Sequence, residues 1–349
     1  MPGESTHADL FELFGSQGFV TTCRPMAPVL RSALKAAAAS DITVLLEGET
    51  GTGKQVLARA IHNLDHKRNA FSFVTVHCST IGQELAESEL FGHRRGAFSG
   101  ATYEREGLFQ AANQGTLFLD DVNDLSLALQ PKLLDVLQRG VVRGVGWDRE
   151  VPVNVRVIAA ANTPLEQLVK QGRFRADLYY RLNVVRLAIP PLRERPNDFA
   201  ALILVFARRH HSIYPGIEAI DPALVEHLKT SRLSGNVREL EHAVQRMLFG
   251  KTEGTTLDVS DWLRQSGVAD AAAEKEDVMG EAARHLWTAI CEHGLPFQEA
   301  IRRLEQRVLE KAVSQRGQTR REIAGRLRTS ERTLYHKLRS HNLTGAGVP

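Results

Sequence analysis

The stretch LLEGETGTGKQ, Leu45 to Gln55, constrains the fold more than any other part of the chain. An apolar run stops at a glycine. Gly48, Gly51 and Gly53 then enclose Glu49, Thr50 and Thr52 ahead of Lys54. Glycines at these positions let backbone N–H groups converge on one anion. The lysine adds charge, and a following helix adds the positive end of its dipole. The spacing G-x-x-x-x-G-K is that of a phosphate-binding loop, which sits between a buried strand and a helix. Gln55 stands where the general motif has a hydroxyl for magnesium.

The surrounding pattern agrees with that demand. DITVLLEG, FSFVTVHC, GTLFLDDV and VNVRVIAAAN predict four strands with helical pieces between them, an α/β arrangement with a largely parallel sheet. GTLFLDDV ends on Asp120 and Asp121, at the strand end where open sheets bind ligands. One carboxylate can hold magnesium through water, and the next can orient an attacking water. VIAAAN delivers Asn162 to the same edge. GRFRADLYYRLNV carries Arg173, Arg175 and Arg181. The five donors of arginine suit phosphoryl oxygens. Arg175 and Arg181 are spaced to enter a neighbouring copy's site, the alternative being surface pairing with Asp177. Residues 197–250 predict three helices, with Asn236 as cap of the last. Arg238 in that first turn opposes the helix dipole, which points to another partner such as a nucleotide.

HRRGAFSGAT, residues 93–102, is too short and broken for a core segment. Phe98 is its one bulky apolar group. It reads as a loop whose aromatic either tucks back or meets a partner. Near the other end, the apolar groups Phe297, Ile301, Leu304, Val308 and Ala312 fall on one helical face, to pack on the final helices or on a twin copy. TRREIAGRLRTSERTLYHKLRSH then predicts a helix-turn-helix capped by Thr319 and Ser330. Its core is Ile323, Leu327, Leu334 and Leu338. Eight basic and two acidic residues between Arg316 and His341 suit a DNA backbone. Arg328, Arg332, Thr333, Tyr335, His336, Lys337 and Arg339 are the candidate DNA contacts.

The net charge of +3 excludes a uniformly basic nucleic-acid coat. Cys23, Cys78 and Cys291 are too scattered for a disulfide framework or metal spacing, which fits a reducing cytoplasm. No leader and no apolar run of about 18 residues is visible, so no membrane contact is expected. The expected organisation is a short tail over 1–20, an α/β domain over 21–192, a helical domain over 193–263 and a linker over 264–280. A helical DNA-binding domain follows over 281–345, with the helix-turn-helix at 319–341.

GETGTGK, ESELFGH, GAFSGA, GTLFLDD, ALQPKLLDVLQ, VRVIAAAN, GRFRADLYYRLNV, PPLRER and SGNVREL occur in this order. With them the chain resembles the sigma-54-dependent transcriptional activators, bacterial enhancer-binding AAA+ ATPases. The resemblance covers roughly residues 20–250 and the Fis-like C-terminus. It implies an AAA+ P-loop core, a helical lid and an all-α helix-turn-helix domain. It further implies ATP and Mg2+ as cofactors, a ring hexamer, and partnership with sigma-54, RNA polymerase and enhancer-like double-stranded DNA. It assigns Lys54 to Walker A, and Asp120 and Asp121 to Walker B with magnesium on Asp120. Asn162 and Arg238 become the sensors, and Arg175 and Arg181 the trans arginines. Gly96, Ala97, Phe98, Ser99, Gly100 and Ala101 become the loop that grips sigma-54.

The chain departs from the family pattern in four places: Asp121 for glutamate, Gln55 for glutamate, His77 for the asparagine that holds the catalytic acid, and the pair Leu233–Ser234 for tryptophan–proline. Asp121 is one methylene short, and about 1 Å of misplacement can cost roughly 10²-fold. The core begins near the first residue, so control by a separate regulatory protein is expected. The alternative function is a nucleotide-switched DNA-binding regulator with little ATP turnover.

Overall fold

The computed structural model describes residues 7–79, 83–98, 101–265, 287, 290–291, 295–313, 319–327, 329–341 and 343. Its centre is a sheet of five parallel strands. These are β1 (Val44–Glu47), β2 (Phe73–His77), β3 (Thr116–Asp120), β4 (Arg156–Ala161) and β5 (Val185–Ala188), in the order β2-β3-β4-β1-β5. β1 and β4 are buried at every position, as strands covered on both faces must be. Side chains alternate between two apolar layers. Leu45, Leu117, Leu119, Val157 and Ala159 face one layer with Leu133, Leu168 and Leu178. Val44, Leu46, Phe118, Ile158 and Ala160 face the other with Leu30, Leu57 and Ile61. Because all strands run the same way, the ends bearing Glu47, His77, Asp120 and Ala161 share one edge. β5 was not expected: it has four residues and only Leu187 is buried, too little signal for a sequence pattern.

The expected tail is also corrected. Residues His7–Ser16 form a helix that buries Leu10 and Phe14. Those two side chains lie four residues apart, on one helical face, and join Met26, Ala27 and Leu30. Phe19 follows them into the core, so this segment is part of the α/β layer.

The helices Asp198–Arg209, Pro222–Thr230 and Asn236–Gly250 appear as expected and share a core with Phe199, Leu202, Phe206, Leu228 and Met247. A further short helix, Val259–Gln265, completes this bundle. The chain up to Gln265 is one compact unit, and the chain from Ser266 is a second. In the second unit, Thr319 and Glu322 form a reciprocal capping box and Ser330 accepts from the Thr333 N–H, the caps expected from sequence. Ile323, Ala324, Leu334 and Leu338 pack with Leu309 of the helix Phe297–Val313. That helix presents Leu309, Ala312 and Val313 to the final helices, while Phe297, Ile301, Leu304 and Val308 stay exposed. Of the expected stripe, Ala312 alone packs on the final helices. Among the described residues, no helix is long and apolar enough to cross a membrane.

Phe14 is fully buried, so Phe14→Ala should destabilise the first unit by about 3–5 kcal/mol. Urea unfolding checks this; a loss under 1 kcal/mol would mean the helix His7–Ser16 is not part of the core.

Candidate functional site

The phosphate loop leaves β1 at Gly48, whose N–H donates to Ala161 O of β4. Gly51 and Gly53 have φ of +77° and +101°, the region glycine enters without penalty. A side chain at Gly48 would meet Ile189 O at 2.7 Å. Thr52 Oγ1 donates to Glu49 O, closing the loop on itself. Lys54 opens the following helix, Lys54–Asn63, and is 7% exposed. Its Nζ donates to Gly48 O at 2.7 Å and Glu49 O at 3.0 Å. Burial pushes its pKa down, and Asp120 and Asp121 oppose that shift.

A cavity of about 240 Å³ collects part of the predicted set, without Asn162 in its lining. Thr50, Gly51, Gly53, Lys54 and Gln55 line it from the loop, Asp120 and Asp121 from β3, and Arg238 from the helical bundle. Burial and the neighbouring Asp121 push the Asp120 pKa up, and Lys54 and His77 oppose that. His77 Nδ1 lies 3.3 Å from Asp120 Oδ2. Asp121 is left-handed, with φ +51°, a conformation aspartate tolerates better than most residues. Asn162 Nδ2 donates to Asp121 Oδ1 at 3.0 Å, while Thr163 Oγ1 donates to Asn162 Oδ1. Among the described residues, no group of three His, Cys, Asp or Glu could hold a metal by itself.

Sequence reasoning missed a second, largely apolar cavity of about 80 Å³. Phe19, Val20, Leu202, Val205 and Phe206 line it, and it shares Gly53, Val56, Val237 and Glu241 with the first. It missed Arg195 too. This side chain is 1% exposed and donates to Thr52 O at 3.1 Å. Its neighbour Asp198 accepts from Thr21 Oγ1, Thr22 N and Cys23 N. The tandem charges in PPLRER were the only available signal.

Asn236 does not cap its helix as expected. Gly235 takes the cap position, and Asn236 turns its side chain toward Leu192, Glu49 and Thr50 instead. Arg193 holds Glu49 through both carboxylate oxygens, at 2.8 and 2.7 Å. Arg193 and then Asn236 hold the Glu49 pKa down at about 2.

Arg175 and Arg181 do not line this subunit's cavity. Arg175 pairs with Asp177 at 2.8 Å, and Arg181 donates to Leu137 O. Arg175 precedes the helix Ala176–Leu182 and Arg181 sits in its last turn; this helix packs on the helix Gln130–Arg139. In the loop at 96–101, Gly96 N donates to Ala101 O, and Ser99 and Gly100 lie outside the described residues. Phe98 is 36% exposed, with its ring edge-on to His93 at 5.1 Å. His93 is buried and bonded through Nδ1 to Ser88 Oγ at 2.6 Å. A neighbouring loop, overlooked in the sequence, runs beside it: Arg94 N donates to Val145 O, and Val145 N donates to Gly92 O. In the second unit Arg332, Thr333, Tyr335, His336, Lys337 and Arg339 are all exposed, and Arg328 lies outside the described residues. Lys337 pairs with Glu305 of the preceding helix.

Residues 20–188 match the sigma-54 interaction domain, and residues 193–277 match the AAA+ ATPase lid domain. The chain therefore carries a sigma-54 interaction domain followed by an AAA+ lid, and it is homologous to bacterial enhancer-binding transcriptional activators. It is 38% identical over 314 residues to the regulatory protein AtoC of Escherichia coli, covering 89% of this chain and 65% of AtoC. It is 45% identical over 233 residues to the sigma-54-dependent transcriptional activator SfnR of Pseudomonas putida, 66% of this chain and 63% of SfnR. The crystal structure of NtrX from Brucella abortus in complex with ATP matches with a TM-score of 0.64 at 27% identity. That match covers 93% of this chain and 69% of NtrX. The chain thus spans just under two thirds of AtoC and SfnR.

The depressed Glu49 pKa fixes a sign. Its pairing stabilises the fold fully above the ordinary carboxylate range, and that stabilisation is lost as pH falls from about 4.5 toward 2. Glu49→Gln should therefore be less stable than the unaltered chain at pH 7. The gap should narrow below pH 4.5, as read by denaturant unfolding at each pH; a gap independent of pH would contradict the pairing.

Proposed function

We propose that this chain is an ATP-hydrolysing transcriptional activator. It binds upstream DNA through residues 319–341 and remodels sigma-54 RNA polymerase through the 96–101 loop. The observation that carries this is the gathering of Lys54, Asp120, Asp121 and Arg238 around one cavity, within a chain that matches the sigma-54 interaction domain. Lys54 exchanges its two loop carbonyls for phosphate oxygens. The apolar cavity beside it takes the base, which places the phosphates against the loop glycines. Asp121, steadied by Asn162, accepts a proton from the attacking water. The crystal structure of the relative NtrX with ATP supports the nucleotide.

Magnesium fits the donor set. Two crowded carboxylates with a raised pKa at Asp120 gain from a dication, and Mg2+ needs only one or two carboxylates beside phosphate oxygens. Asp120 would hold it, and when bound it neutralises charge on the transferred phosphoryl group. Arg175 and Arg181 do not line their own cavity, which suits donation to a neighbour in a ring hexamer. The exposed stripe from Phe297 to Val308 suits pairing of two copies on DNA.

One observation favours the nucleotide-switch alternative: Asp121 is short and already engaged by Asn162. ATP turnover measured against Lys54→Ala separates the two. Activation predicts a loss on the order of 10²-fold or more in the variant; equal rates would leave a switch. Mixing Lys54→Ala with Arg181→Ala, each inactive alone, should restore part of the turnover, since some seams then pair an intact loop with an intact arginine. No recovery would remove Arg181 from the neighbour's site.

A further inference from the structure

We infer that Asn236 is a positioning residue that ties the lid helix Asn236–Gly250, and with it Arg238, to the phosphate loop. The inference rests on the nucleotide reading above and deepens it. Asn236 is 1% exposed and left-handed, with φ +54°, at the very start of a 15-residue helix. A non-glycine residue keeps that conformation where surrounding bonds hold it there. Its Oδ1 accepts from Leu192 N at 2.8 Å. Its Nδ2 donates to Thr50 O at 3.0 Å and Glu49 Oε2 at 3.1 Å, with Ser234 O at 3.3 Å. One side chain thus joins the phosphate loop, the inter-domain connection and the lid.

The next two residues extend the tie. Gly51 O accepts from Val237 N at 3.0 Å and Arg238 N at 3.3 Å. The first N–H groups of a helix have no partner within it, and here two of them reach the phosphate loop. A Cβ on Gly51 would fall 2.1 Å from Gly235 O, so the two backbones touch with no side chain between them. Arg193 fastens Glu49 from the connection as well. When Gly48 to Gly53 adjust to a triphosphate, the lid helix must follow, and Arg238 is two residues from the tie. Asn236 acts through Arg238 and does not itself touch the phosphates.

The test uses fluorescent ATPγS and fluorescent ADP with the full chain, so it does not depend on turnover. Asn236→Gly keeps the left-handed backbone without strain and removes only the side-chain bonds. Arg238→Ala should lower the preference for ATPγS over ADP by about tenfold, the worth of one charge-assisted contact. Asn236→Gly should lower it by a similar factor, and the double variant should be no worse than Arg238→Ala alone. Should Asn236→Gly not fold, Asn236→Asp is judged by the same criterion, because it keeps the acceptor for Leu192 N and loses both donors. A wild-type preference in the Asn236 variant would overturn the inference. So would multiplicative losses in the double variant, or no effect of Arg238→Ala. Binding of neither nucleotide by the unaltered chain would refute the nucleotide reading itself, whereas normal binding with an indifferent Asn236 variant refutes this inference alone.

Discussion

Everything at this site depends on one buried ammonium facing two carboxylates across a parallel sheet edge. Burial disfavours charge on both Lys54 and Asp120, and each holds the other in its charged form. Removing either group withdraws that support from the other. The arrangement exists because β1 and β3 run in the same direction and end together, with β4 between them. It also needs Gly51 and Gly53 in conformations closed to most residues. The fold and the charge balance are therefore one design: the sheet brings the groups together, and the loop turns the lysine back onto them.

His77 changes how this site connects to the rest of the molecule. The family resemblance puts at this position a residue that restrains the catalytic acid. Here the imidazole lies against Asp120, while the restraint on Asp121 comes from Asn162. His77 ends β2, and the chain from there leads to the helix Gln83–Phe91 and directly into the 96–101 loop. Phe98 rests on buried His93, itself fixed to Ser88 of that helix. One histidine thus lies at the carboxylates and another beneath Phe98.

The α/β layer, the loop, Lys54, the paired aspartates and Asn162 were legible because local pattern determines them: apolar runs of strand length, glycines at fixed spacing and polar residues at strand ends. Arg238 was legible because its charge is wrong for a helix start. The helix His7–Ser16 and β5 were not, since two buried side chains in one and a single buried side chain in the other give no period to detect. Asn236 was assigned the commonest role for its type, a cap. Its true partners lie 44 and more than 180 residues away, and only tertiary structure brings them within reach. Arg195 escaped for the same reason: a fully buried guanidinium needs a carbonyl and a carboxylate that sequence cannot place.

The most direct measurement is open-complex formation at a sigma-54 promoter with purified polymerase, read as single-stranded DNA around the start site. The account predicts melting that requires this chain and hydrolysable ATP and is lost with Phe98→Ala while ATP turnover persists. Melting that proceeds equally with Phe98→Ala, or without hydrolysis, would contradict it.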